Sequence, residues 1–365
     1  MSKKNQNEYQ PDSVTPPGFY VQEKIEELGM TQTDLAGRIG RTKKTVNEII
    51  TGKAPIEPET ALQLERVLGI PARYWNNIER QYRDHLVRQE ERARLEQQIE
   101  RLHSFPVKAM CKLGWLPKRS DAVDLLSELL SYFGVASVET LDQIDLRTCS
   151  AFRQSAVHKV DANAILAWLR KGELDARGIH CRPFHRDRFR SALAEIRELT
   201  MRPIDEALRE SCRLCAEAGV ALVFVPELPK TCTWGATRWL TADKALIQLS
   251  ARGKKDDQLW FTLFHEAGHI LLHPKKDIFI ELENTTDSRE DEANQFAADQ
   301  LIPPNTWMLA RQMKLRSKTE IQLFAKQYKI APGILVGRMQ REKMIPWSYM
   351  NALKTSVRIE IPTAC

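Results

Sequence analysis

Between Trp260 and Lys276 the chain reads WFTLFHEAGHILLHPKK, with His265 and His269 four residues apart and Glu266 directly after the first. Residues four apart on a helix share a face, so two imidazoles can converge on one point. Such a pair suits zinc, which lowers the pKa of a bound water to about 7. Glu266 stands where a carboxylate could take that water's proton and deliver it to a leaving amine, which is the chemistry of amide hydrolysis. The five-residue pattern also arises by chance in ordinary helices, so it needs a further ligand from elsewhere.

His273 lies four residues past His269, but Pro274 follows it directly. A metzincin would place Gly and His where this chain has Leu272 and Lys275. His273 therefore reads as a helix end. A downstream carboxylate is the better source. In REDEANQFAADQLIPP, which starts at Arg289, the apolar face is Ala293, Phe296, Ala297 and Leu301. Glu290 falls on that face, with Asn294 four residues after it, and Glu292 lies further round. A carboxylate turned towards a core wants a partner, and a metal is one. The helix dipole alone would also favour a carboxylate in this first turn. Glu290 is the expected ligand and Glu292 the alternative.

A second constellation lies far upstream, in MTQTDLAGRIGRTKKTVNEIITGKAPI from Met30 to Ile56. Thr31 can cap a short helix over 32–39, whose Leu35 and Ile39 share a face. Gly40 permits the left-handed turn that ends it. Thr42 can cap a second helix over 43–51 that buries Val46, Ile49 and Ile50, and Gly52 stops that one. Two short helices, a tight turn and one apolar seam make a helix-turn-helix. In that motif the second helix enters the major groove with its first residues facing base edges. Here those residues are Lys43, Lys44 and Asn47. Lysine can read guanine and asparagine can pair with adenine. Gln32, Arg41, Thr42 and Lys53 are candidates to hold phosphates. A plain bundle with a basic edge would share the charges, but not the caps, turn and seam together.

The elements around these residues have to come from 365 residues, enough for two or three domains. With 42% hydrophobic and 28% charged residues, the composition is globular, and the net charge of +6 permits a nucleic acid or other acidic partner. No apolar run approaches the roughly 18 residues of a membrane helix. The N-terminal MSKKNQNEYQPDS has no apolar stretch behind its lysines, so no signal peptide is expected. A cytoplasmic chain without membrane contact follows as the expectation. The seven cysteines are odd in number and scattered, unlike a disulfide framework. Cys212 and Cys215 form a single C-x-x-C on a predicted helix, which fits core packing better than zinc.

Strand character is confined to GVALVFVPEL (219–228) and KALIQLS (244–250). Residues 105–217 read as mostly helical, with loops expected near SYFGVAS and RKGELDARGIHCRP. The charged run DHLVRQEERARLEQQIERLH (84–103) reads as an exposed helix whose apolar positions are too sparse for a heptad seam. KTEIQLFAKQYKIAPGILVGRMQ (318–340) has a second helix-turn-helix shape. Its seam of Leu323, Phe324, Tyr328, Ile334 and Val336 is expected to pack inward.

From PPGFYVQEKIEELGMTQTDLAGRIG through KTVNEIITGKAPIEPETALQLERVLGIPARYW, roughly a sixth of the chain, the sequence resembles the HigA-type antitoxins of the XRE repressor family. That resemblance implies a five-helix bundle that binds a palindromic operator as a dimer. HEAGHILLH, followed by E-x-x-A-N-x-F-A and L-I-P, resembles the ImmA/IrrE family of metallopeptidases. The likeness extends upstream through WGATRWLTADKALIQLSARGKKDDQLWFTLF and downstream through IAPGILVGRMQREKMIPW, roughly the last third of the chain. It implies that His265, His269 and Glu290 hold zinc and that Glu266 is the base.

The expected fold is mainly α with an α+β C-terminal domain: a five-helix helix-turn-helix bundle, then a zincin-like metallopeptidase domain with a small β-sheet. The expected limits are a disordered tail at 1–16, the DNA-binding domain at 17–83, a helical connector at 84–195 and the peptidase domain at 196–365. KALIQLS is expected to line the cleft and hold a peptide along its edge. The implied function is a DNA-binding transcriptional regulator with a zinc-dependent endopeptidase domain, acting on a repressor or toxin as protein substrate. The competing expectation is a non-enzymatic antitoxin whose C-terminal domain binds a toxin or ligand. Expected partners are a double-stranded DNA operator, the protein substrate and a second copy of the chain.

Overall fold

The computed structural model describes residues 14–144, 161–250, 252, 255–275, 279–282 and 288–357. Most of the expected disordered tail lies outside the described residues. The chain divides into two compact units, Met1–Ile99 and Glu100–Cys365.

The first unit is a bundle of five helices: α1 (Pro17–Glu27), α2 (Gln32–Ile39), α3 (Lys43–Ile50), α4 (Pro58–Leu68) and α5 (Ala72–Glu96). Local chemistry sets the ends of α2. Thr31 accepts from the Asp34 backbone N–H, and the Asp34 carboxylate accepts from the Thr31 N–H at 3.0 Å. This reciprocal cap satisfies two N–H groups that a helix start leaves without partners. Gly40 closes the helix at φ 66°, a left-handed conformation that needs no β-carbon. Thr42 caps α3 one way only, its hydroxyl accepting from the Thr45 backbone N–H at 3.1 Å. The amphipathic faces meet in a core that includes Val21, Ile25, Leu35, Val46, Leu64 and Trp75. Helix α5 runs unbroken across residues 83 and 84 and is exposed along most of its second half.

The second unit contains α6 (Val107–Lys112), α7 (Ala122–Phe133), α8 (Ala162–Arg177), α9 (Arg186–Leu199) and α10 (Ile204–Glu217), then a four-stranded sheet with further helices. Its strands are β1 (Val220–Phe224), β2 (Thr233–Thr241), β3 (Lys244–Leu249) and β4 (Phe279–Leu282), in the order β1-β3-β2-β4. Strand β3 runs parallel to β1 and antiparallel to β2, and β2 runs antiparallel to β4. The expected peptide edge on KALIQLS therefore fails: β3 is interior, hydrogen-bonded on both sides. The outer strands are β1 and β4. At four residues, FIEL is too short to announce itself by periodicity.

Another expectation also changes. The predicted loop at RKGELDARGIHCRP begins only after Arg177, because α8 continues through Gly172. A glycine costs helix stability in isolation, but here it allows α8 to approach β3. A β-carbon at Gly172 would sit 1.8 Å from the Gln248 Oε1. The Gln248 amide donates to the Trp168 carbonyl at 2.7 Å, and the Trp168 indole donates to the Val225 carbonyl at 3.0 Å.

The central element is α11 (Asp256–Leu272), followed by α12 (Ser288–Leu301), α13 (Pro304–Met313), α14 (Lys318–Gln327) and α15 (Pro332–Arg341). Trp260, Leu263, Phe264, Ala267 and Leu271 form the expected apolar stripe. The burial does not stop at the stripe, because sheet and helices enclose α11 so fully that His265, Glu266 and His269 are buried too. The second helix-turn-helix shape packs inward through Ile321, Phe324, Ile334, Leu335 and Val336. Leu323, expected in that seam, is 64% exposed, because the buried face of α14 is set by Ile321, Phe324 and Ala325.

Candidate metal centre and groove-facing helix

The imidazoles of α11 converge as their spacing requires. His265 Nε2 and His269 Nε2 are 3.0 Å apart. From α12, the Glu290 carboxylate reaches both, with Oε2 at 3.1 Å from His265 Nε2 and Oε1 at 3.5 Å from His269 Nε2. One ligand atom from each residue falls within 4.8 Å of the others, and among the described residues no other group of three His, Cys, Asp or Glu side chains converges in this way. The Glu290 side chain is 12% exposed, at the outer side of the cluster. Glu292 does not reach the pair; its Oε2 lies 3.5 Å from His273 Nε2.

The other ring nitrogens decide which species fits between these groups. His265 Nδ1 is 3.1 Å from Asn294 Oδ1, an atom that can only accept, so this Nδ1 carries the proton. His269 Nδ1 is 2.9 Å from His273 Nδ1. With the proton on His269 Nδ1, the His273 proton lies on Nε2, on the side of the Glu292 carboxylate. Both Nε2 atoms then present lone pairs to each other and to a carboxylate. Several acceptors turned to one point suit a divalent cation, and the outer partners fix the tautomers, as supporting groups do in metal sites. Phe279 of β4 stacks on the His269 ring at 4.3 Å and holds its plane.

Glu266 extends towards β2. Its backbone carbonyl accepts from Thr237 Oγ1 at 3.2 Å, and its side chain is fully buried. Gly235 makes the room, since a β-carbon there would lie 2.5 Å from Glu266 Oε1. Gly235, His273, Asn294 and Phe279 were not expected as site residues. The spacing of Asn294 from Glu290 was a usable signal. His273 does end the helix as expected, and it also supports His269. Gly235 and Phe279 lie in strands whose register the sequence does not reveal.

The C-x-x-C pair is packing. Cys212 and Cys215 are buried in the core, and burial pushes the Cys215 thiol up to about 12, away from the thiolate that binds zinc.

In the first unit, Lys43, Lys44 and Asn47 lie exposed on the outer face of α3, while Val46 and Ile49 are buried. The other candidates are partly committed within the bundle. Arg41 donates to Glu59 at 2.9 Å and Gln63 at 3.3 Å, Gln32 donates to Gln22 at 3.1 Å, and the Thr42 hydroxyl caps α3.

Residues 21–75 match the helix-turn-helix family, and residues 221–339 match the IrrE N-terminal-like domain of peptidase family M78. The chain is similar to the uncharacterized HTH-type transcriptional regulator YddM of Escherichia coli K12, with 32% identity over 63 residues, covering 17% of this chain and 67% of that protein. Two solved structures are also similar, each 24% identical with a TM-score of 0.21. One is an addiction module antidote protein of a HigA family from Coxiella burnetii, covering 23% of this chain and 91% of that one. The other is the Pseudomonas aeruginosa antitoxin HigA with the higBA promoter, covering 24% and 94%. By fold and site, the molecule is a helix-turn-helix regulator joined to a metallopeptidase-like domain. It belongs to the XRE-type helix-turn-helix proteins through its first unit and carries an IrrE/ImmA-like M78 domain in its second.

Proposed function

We propose that this chain is a DNA-binding regulator whose second unit is a zinc-dependent endopeptidase that controls transcription by cutting a repressor or toxin protein. The carrying observation is the convergence of His265 Nε2, His269 Nε2 and the Glu290 carboxylate, with both histidine Nδ1 atoms engaged elsewhere. His265, His269 and Glu290 would hold the zinc, which when bound supplies a Lewis acid that polarises a carbonyl and acidifies water.

The remaining chemistry belongs to the chain. Glu266 holds the proton taken from the attacking water and passes it to the departing amine. Gly235 keeps the space that Glu266 occupies. Asn294 and His273 orient the two imidazoles. The outer strand β4, with Phe279 on His269, lies where an extended peptide can add by backbone pairing. Substrate choice is then a matter of side-chain contacts near α11. In the first unit, Lys43, Lys44 and Asn47 read base edges of an operator bound by a dimer, in the cytoplasm where repressor and DNA meet.

The test combines metal analysis with the Glu266→Gln variant. Purified chain is expected to carry zinc, to cleave a candidate repressor or itself, and to lose cleavage but not zinc on Glu266→Gln. Metal-free protein, or a Glu266→Gln variant that cleaves as fast as the parent, overturns the peptidase assignment and leaves a non-enzymatic antitoxin.

A further inference from the structure

A cavity of about 680 Å³ lies among α11, α12 and α15, one helical turn N-terminal to His265. It adjoins the metal centre through two lining residues. Asn294 is the partner of His265 Nδ1, and Thr262 packs with Glu266 around Gly235. Its volume is that of a ligand site rather than a packing defect.

The lining specifies what fits. Trp234, Phe261 and Ile334 contribute apolar walls, and Trp347 contributes a rim that is 64% exposed. The Arg341 guanidinium stands 4.3 Å over the Phe261 ring, so the lining already holds a cation against an aromatic face. Among the described lining residues, Asp257 is the one with an unmet demand. Its Oδ2 pairs with Lys354 Nζ at 2.6 Å, both side chains being 7% exposed, while its Oδ1 is buried and has no hydrogen-bond partner. A buried acceptor without a donor is unfavourable and calls for an explanation. Lys354 already neutralises the carboxylate, so the unpaired oxygen asks for a neutral N–H or O–H rather than another cation. Flat apolar walls with an acceptor among them suit an aromatic side chain with a donor at its edge.

We propose that this cavity is the side-chain specificity site of the peptidase. It takes a tyrosine or tryptophan close to the scissile bond, with the phenol or indole donating to Asp257 Oδ1. The assignment deepens the endopeptidase reading and rests on it for the word substrate, whereas the binding chemistry stands on the cavity alone.

N-acetyl-tyrosinamide, N-acetyl-tryptophanamide, N-acetyl-phenylalaninamide and N-acetyl-lysinamide can be titrated onto the full chain and followed by NMR. The tyrosine and tryptophan amides are expected to bind about tenfold more tightly than phenylalanine, the contrast of one hydrogen bond. The lysine amide is expected to bind more weakly still. Trp347→Ala, at an exposed position that should leave the fold intact, and Phe261→Ala in the wall should both weaken binding of the two favoured amides. Phenylalanine binding as tightly as tyrosine, lysine binding best, or unchanged affinity in both variants overturns the proposal. Binding is read without catalysis, so tight tyrosine binding by a chain that cuts nothing sinks the peptidase assignment and keeps the cavity. A chain that cleaves peptides with no preference for tyrosine or tryptophan does the reverse.

Discussion

The two units place their candidate functional residues at opposite extremes of exposure. On α3 the Lys44 side chain is 84% exposed, whereas on α11 His265, Glu266 and His269 are 1%, 0% and 1% exposed. A groove-reading helix has to present its side chains to a partner, so the bundle beneath need only hold the helix up. A hydrolytic centre must exclude bulk water and fix its groups within fractions of an ångström, so its residues are also core residues. Function and stability should therefore separate cleanly in the first unit and be entangled in the second.

The largest effect should come from a position that touches no reacting group. Gly172→Ala drives a β-carbon into the Gln248 amide and breaks its bond to Trp168. The overpacking and the lost buried hydrogen bond together should cost about 3 kcal/mol. Denaturant unfolding of the second unit reads this directly, and a change below about 0.5 kcal/mol would mean the α8–β3 contact is not fixed. Next are the supporting groups of the candidate metal centre. Asn294→Ala and His273→Ala should each weaken zinc affinity by about 10–100-fold, measured by competition with a chelator. Equal affinity in both variants and parent would break the link between the outer contacts and the ligand geometry.

The contrasting experiment belongs to α3. Lys44→Ala and Asn47→Ala should each weaken operator binding by about 1–3 kcal/mol while changing stability by no more than about 0.5 kcal/mol. Affinity measured across operator variants should also lose discrimination at one position. Unchanged affinity and preference would remove α3 from the groove. A large loss of stability would erase the contrast between the units.

The same contrast explains what the sequence could reveal. The first unit was legible because its punctuation is local: Thr31, Gly40 and Thr42 act on their own helix ends, and each lies where its type predicts. The pairing of His265, His269 and Glu290 was legible because helical spacing fixes two of them and an apolar face points the third. What escaped depends on contacts distant in sequence. Strand β2 alternates too weakly to be recognised, and β4 is four residues long, so the order of the sheet and its β4 edge were hidden. Gly235 gains its meaning only from Glu266, thirty-one positions away. The loop expected near RKGELDARGIHCRP starts later than its sequence suggests because the reason for Gly172, Gln248, lies on another element.

Titration gives the smallest test, and its sign should differ between the units. The Asp34 carboxyl is held below its ordinary value of 3.8, first by the Thr31 hydroxyl and then by the Thr31 backbone N–H. Its stabilising effect is complete above the unfolded pKa and is lost as pH falls through the lowered folded value. Asp256, at the start of α11, goes the other way. Burial raises its pKa above 3.8, and neighbouring Asp257 adds to the rise. The contribution of this group is fully present below the unfolded pKa and is lost as pH rises through the raised folded value. Acidification thus weakens the cap of α2 while relieving a buried charge at α11. Asp34→Asn should destabilise the first unit at about pH 6, with the difference shrinking towards pH 3. Asp256→Asn should look relatively more favourable as pH rises over the same span. Amide hydrogen exchange can follow each unit separately, and pH dependence of the same sign in both variants would show that burial does not set these two carboxyls apart.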